Sequence, residues 1–189
     1  MKEIEKRVRA WLLSLVLVTC LGLTGCVTGV SGLQKYADNI KGYQFLYPNG
    51  WVPVEVQGAS EGVDVVFRDI IERSENLSLI VSDIPEGKTL ESLGTPTEVG
   101  YRFLKQTNST APQGRTTEFL RAGSYEVDAK PYYILEYAVE LPDAQQRHNI
   151  ATVAVNRGKL YTFNLSAAEE RWENVKEQFE ASAKSFSVY

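Results

Sequence analysis

The chain has 189 residues, with 20 Lys+Arg against 24 Asp+Glu, one histidine and two cysteines. A net charge of −4 provides no electrostatic footprint for nucleic acid or for an anionic membrane surface. With so few His and Cys residues, a tetrahedral structural zinc site is disfavoured, and the length suits one domain of ordinary size.

The N-terminus reads in three parts: basic Lys2, Lys6, Arg7 and Arg9, an apolar run from Trp11 to Leu23, then Leu23-Thr24-Gly25-Cys26. Thirteen residues of apolar helix reach about 20 Å, short of the roughly 30 Å hydrocarbon core of a bilayer. The run therefore suits the core of a signal peptide, residues 1–25, better than a permanent span. Leu-Thr-Gly-Cys resembles the lipobox of bacterial lipoproteins, which implies a lipidated Cys26 as first residue of the mature chain. Cys20 then leaves with the signal and Cys26 is consumed by lipid, so no disulfide or thiol nucleophile is expected. The mature chain would hold 16 Lys+Arg against 22 Asp+Glu, so its membrane attachment must come from acyl chains.

Residues 26–37 are small and Gly-rich, which predicts a lipidated tether of at most about 40 Å. One domain, 38–189, should follow. Tyr43, Phe45 and Tyr47 alternate, Pro48-Asn49-Gly50 makes a turn, and Trp51 to Val56 returns with Val52, Val54 and Val56 on one face. Val63, Val65 and Phe67, then Leu77, Leu79 and Val81, keep the strand period. Asp64, Asp69, Glu72 and Glu75 lack the spacing of a calcium loop and read as solvated surface charge.

Thr95-Pro96-Thr97-Glu98 is a capping box with Pro at the first helical position, followed by Val99, Phe103 and Leu104. Strands are predicted at Thr116 to Glu126 and Pro131 to Leu141, around the turn Asp128-Ala129-Lys130. Ile150 to Val155 and Leu160 to Leu165 flank Asn156-Arg157-Gly158-Lys159 as a hairpin. Ser166-Ala167-Ala168-Glu169 reads as a second capping box before the helical stripe Trp172, Val175, Phe179 and Ala183. Hairpins plus helices that must cover a sheet face give an α+β fold, a single domain with a central antiparallel sheet.

The catalytic inventory is poor. A Ser-His-Asp triad would need His148, no Gly-x-Ser-x-Gly elbow accompanies it, and no phosphate-binding glycine loop is present. Carboxylate pairs for a hydrolase arise by chance among so many acids. His148 with nearby carboxylates is the candidate metal site, for zinc, manganese or calcium, against the alternative of a polar residue at a strand start.

Gly42-Tyr43-Gln44-Phe45-Leu46-Tyr47-Pro48-Asn49-Gly50-Trp51 resembles the opening signature of the PsbP family, the lumenal extrinsic proteins of photosystem II. The resemblance continues through Val65-Val66-Phe67-Arg68-Asp69, Glu75-Asn76-Leu77-Ser78-Leu79 and Leu93-Gly94. It extends to Tyr132-Tyr133-Ile134-Leu135-Glu136-Tyr137, Gly158-Lys159-Leu160-Tyr161-Thr162, Arg171-Trp172 and Ser185-Phe186. With the lipobox, the chain is most similar to the family's cyanobacterial lipoprotein branch. The resemblance implies a PsbP/Mog1-like αβα sandwich and a lumenal place on thylakoid membranes. It also implies a non-catalytic, monomeric role beside photosystem II reaction-centre and lumenal subunits, assisting assembly or stability. A metal-binding protein supporting the oxygen-evolving centre is the alternative. Plant PsbP has a longer N-terminal segment, linked in that family to calcium and chloride retention. Here a short tether and a lipid stand in its place. The signature residues themselves read as turn and core positions.

Overall fold

The computed structural model describes residues 32–55, 62–109 and 113–189. Ten strands and two α-helices follow in chain order. These are β1 (Leu33–Asp38), β2 (Tyr43–Pro48), β3 (Trp51–Pro53), β4 (Val63–Asp69), β5 (Asn76–Asp83), α1 (Pro96–Ser109), β6 (Thr116–Val127), β7 (Lys130–Glu140), β8 (Gln146–Asn156), β9 (Lys159–Ala168), α2 (Trp172–Ser185) and β10 (Ser187–Val188). A seven-stranded antiparallel sheet of order β3-β4-β5-β9-β8-β7-β6 forms the middle layer. The fold is the α+β sandwich that the patterning predicts, with α2 on one face and α1 on the other.

Turn chemistry sets the two long hairpins. Asp128 and Ala129 sit at φ 50° and 58°, and Arg157 and Gly158 at 50° and 72°. Two central residues at positive φ are the mark of the turn whose twist matches that of paired strands. β6 thereby pairs with β7 from Val127↔Lys130, and β8 with β9 from Asn156↔Lys159.

Alternation decides which face each strand buries. Leu77 and Leu79 of β5, Tyr161, Phe163 and Leu165 of β9, and Ile150 of β8 point toward α2. There they meet Trp172, Val175, Phe179 and Ala183, the stripe expected of that helix. A second, smaller core holds Leu135, Tyr137, Val139, Ala151 and Val153 under Val99 and Leu104 of α1.

The α1 capping box forms as predicted. Thr95 Oγ1 accepts the Glu98 amide at 3.3 Å, and Glu98 Oε2 accepts the Thr95 amide at 2.8 Å. The second box does not form. Ser166 to Ala168 continue β9, because Arg147 and His148 of β8 pair with Ala168 and Ala167. A short 3₁₀ turn, Glu169–Arg171, leads into α2, and the buried Ser166 hydroxyl accepts from Arg147 Nε instead.

Two further expectations change, the tether's end and the strand from Trp51, and β2 takes a place the patterning left open. The tether cannot run to Ala37, since Leu33–Asp38 is β1, hydrogen-bonded along its length to β2. β2, the opening aromatic strand, lies outside the central sheet, in a three-stranded sheet of order β1-β2-β10 on the α2 side. β3 is only Trp51–Pro53 rather than Trp51 to Val56, with Trp51 buried and Val52 exposed; Val56 lies outside the described residues.

Candidate functional site

Cys26, the predicted lipid-bearing residue, lies outside the described residues, as do the signal peptide and the first part of the tether. His148 is described, and it is third in β8 rather than at a strand start. Its side chain is buried and lies flat on the Trp172 indole, with ring centroids 3.8 Å apart and planes 10° apart. Nε2 faces Glu136 Oε1 at 2.7 Å, and Nδ1 faces Glu169 Oε2 at 3.0 Å. Glu136 also accepts from Arg121 Nε, and Arg121 reaches Glu180 of α2 at 2.9 Å.

This geometry does not fit the metal expectation. A zinc, manganese or calcium ion needs about 2.0–2.6 Å to each ligand, so none fits between groups 2.7–3.0 Å apart. The two carboxylates also occupy different edges of the ring and do not converge on one point. No three His, Cys, Asp or Glu among the described residues are grouped to hold a metal. The cluster instead ties β7, β8, the 3₁₀ turn and α2 together through one buried carboxylate.

The acids read as solvated charge are also structural. Glu75 is buried and accepts from Arg171 Nε. Asp64 accepts the Tyr43 hydroxyl at 2.5 Å and pairs with Lys41. Asp69 Oδ1 takes the amides of Ile71 and Glu72, which shapes the β4–β5 turn. Burial and the Asp64 hydrogen bond together push the Tyr43 phenol far above its ordinary value.

The α1 side of the central sheet carries a concave surface. α1 covers β6 and β7 but leaves much of β8, β9 and β5 open, and a groove of about 560 Å³ remains. Its floor follows the strand register: Tyr137, Asn149, Ser166 and Asn76 lie in one cross-strand row, with Ala151, Asn164 and Ser78 in the next. Phe103, Gln106 and Thr107 of α1 form a wall, and Arg115 and Arg147 also line the groove. The buried Tyr137 hydroxyl donates to Asn164 Oδ1 at 2.9 Å, and burial holds that phenol well above its ordinary range. Sequence reading passes over this groove. The signal is there in the polar alternation of Arg147 and Asn149, then Thr162, Asn164 and Ser166, the β9 residues alternating with Tyr161, Phe163, Leu165 and Ala167.

The signature residues have mechanical roles. Gly42 and Gly50 turn the chain at φ 74° and 86°. A Cβ on Gly42 would lie 2.7 Å from the Tyr189 carbonyl oxygen, where the last strand closes on β2. Tyr43, Phe45 and Trp51 are buried, and Trp51 meets Phe179 edge-on at 5.7 Å. Arg171 and Trp172 hold Glu75 and His148.

The PsbP family profile matches residues 31–188. The CyanoP of Synechocystis sp. PCC 6803 is 53% identical over 178 residues, 94% of this chain and 92% of that protein. The CyanoP of Thermosynechococcus vestitus is 49% identical over 178 residues, covering 92% and 94%. The solution structure of cyanobacterial PsbP (CyanoP) from Synechocystis sp. PCC 6803 superposes with a TM-score of 0.74, over 89% of this chain and 99% of that one. From the β1 start to the C-terminal strand, the chain belongs to the PsbP family.

Proposed function

We propose that this PsbP-type chain is a non-catalytic accessory protein of photosystem II, held by a lipid on Cys26 at the lumenal side of the thylakoid membrane. Its role there is to assist assembly or stability of the complex and its oxygen-evolving centre. The observation that carries this reading is 53% identity to a CyanoP across 94% of the chain, with both proteins matched almost end to end. The lipobox supports the anchor. A tether confines domain and partner to a thin layer and raises their effective concentration, so a modest interface suffices. The side chains with the strongest chemistry, His148, Glu136 and Glu75, are engaged in structural pairs rather than presented to a substrate. Metal binding at His148 gains no support from this geometry.

The test is affinity isolation of the tagged chain from cyanobacterial thylakoids in mild detergent. Photosystem II reaction-centre subunits should co-isolate, above the level recovered with an untagged control. Their absence would contradict the proposal.

A further inference from the structure

The groove on the open face of the central sheet is chemically unlike the rest of this acidic molecule. Its lining contains two arginines, Arg115 and Arg147, and no aspartate or glutamate. Neither arginine makes an ion pair among the described residues. Among the described residues, Arg115 Nε is buried with no hydrogen-bond partner, as is the hydroxyl of Thr117, two residues on in β6. A buried donor left unpaired costs about 1–3 kcal/mol, so native structures rarely keep one without a reason. Arg147 is held by Ser166 Oγ at 2.9 Å and by the Ser74 carbonyl. Burial lowers its pKa, opposed by the charges of Glu75 and Glu72. Both of those acids are within ion-pair reach of Arg171.

We propose that this groove docks an acidic segment of a partner polypeptide, with Arg115 and Arg147 holding its carboxylates. The charge calls for an anion, and a planar guanidinium matches a carboxylate through paired hydrogen bonds. Shape and floor select among anions. About 560 Å³ lies within the roughly 300–1,000 Å³ range of ligand pockets, far more than an inorganic ion fills. The floor carries Asn149, Asn164, Ser166 and Thr162 in successive cross-strand rows, the groups that pair with peptide amides and carbonyls. Asn164 gives its carbonyl to Tyr137, which leaves its amide NH₂ as donor. Phe103 and Ile80 at the sides accommodate apolar side chains between acidic ones. A lipid headgroup fits less well. The groove opens on the α1 face, whereas β1, which receives the N-terminal segment, packs on the α2 face.

The experiment uses the mature chain in detergent micelles, immobilised and offered a synthetic hexapeptide library. Half the library carries Asp or Glu at two positions, and the other half Asn or Gln at the same positions. Mass spectrometry reads the bound fraction for wild type, Arg115→Gln and the Arg115→Gln/Arg147→Gln pair, each first shown to keep its near-UV circular dichroism. Wild type should enrich acidic over amide peptides about tenfold or more, with the preference reduced in Arg115→Gln and lost in the pair. Equal retention of the two halves by wild type would overturn the proposal, as would an acidic preference that survives in the pair. If Arg147→Gln disturbs the fold, the single variant and loss of preference at high salt decide in the same way. Inorganic phosphate or phosphatidylglycerol vesicles that bind Arg115-dependently, with no peptide preference, would also overturn it. The selection contains no photosystem component, so its failure leaves the accessory role standing, and failure of co-isolation leaves the groove standing.

Discussion

Glu136 is a buried carboxylate that two cationic or polar side chains share. It joins Arg121 and His148, and through them α2 and the turn before it, while staying buried. Glu136→Gln keeps the shape and removes the charge. Tempered by the exposure of Arg121, it should cost about 1–3 kcal/mol, read as a lower urea midpoint at unchanged slope. An unchanged midpoint would show that the cluster holds nothing together. The buried tyrosines give a second prediction. Burial, above all, raises the phenols of Tyr43 and Tyr137, and pushes Tyr125 up to about 12. A folded-state pKa above the unfolded value of about 10 stabilises fully below pH 10. That stability is lost as pH rises further and the unfolded chain ionises. The urea midpoint should therefore fall steadily from pH 10 to 11.5, together with a cooperative rise in tyrosinate absorbance. A midpoint flat across that range would contradict the packing.

Among the elements, α1 sits against β6 through a glycine that leaves room for an aromatic ring. Gly100 faces β6, and a Cβ there would lie 2.5 Å from Phe119 Cε2. In an isolated helix Gly→Ala gains nearly 1 kcal/mol, whereas overpacking costs about 1–3 kcal/mol. Gly100→Ala should therefore be net destabilising, and Gly100→Ala with Phe119→Leu should recover part of the loss in thermal melts. A stabilised single variant would mean that α1 is free to shift. The capping box, the long hairpins and the Trp172 stripe of α2 were legible because each is local: spacing and turn chemistry suffice. β1 was not, because a short strand in a small side sheet buries few of its residues, so Leu33–Asp38 carries no strong alternation. The Ser166 box misled for the opposite reason, since pairing with β8 overrides a local cap signal. The Glu136–His148–Glu169 cluster could not be read from the chain, and of the arginine groove only the polar alternation of its floor strands was legible. The cluster depends on the β7–β8–β9 register, which brings together residues 12 and 21 positions apart, and the groove adds β5 through the β5–β9 pairing.

For the whole molecule, folding and membrane attachment should separate. The domain closes on itself: β10 pairs with β2, and the Val188 amide donates to the Tyr132 hydroxyl at 3.0 Å. Among the described residues, that core is assembled from Tyr36 onward. Cys26→Ala, expressed in the same cells, should therefore keep the native thermal transition yet move from the membrane to the soluble fraction. Membrane retention resistant to carbonate washing would show that the lipid is not the anchor. The accessory role itself is tested most directly by crosslinking mass spectrometry on intact cyanobacterial thylakoid membranes. It predicts that crosslinks from the lysines of this chain concentrate on lumenal segments of photosystem II subunits. Crosslinks confined to other complexes, or none to photosystem II in membranes rich in it, would contradict it.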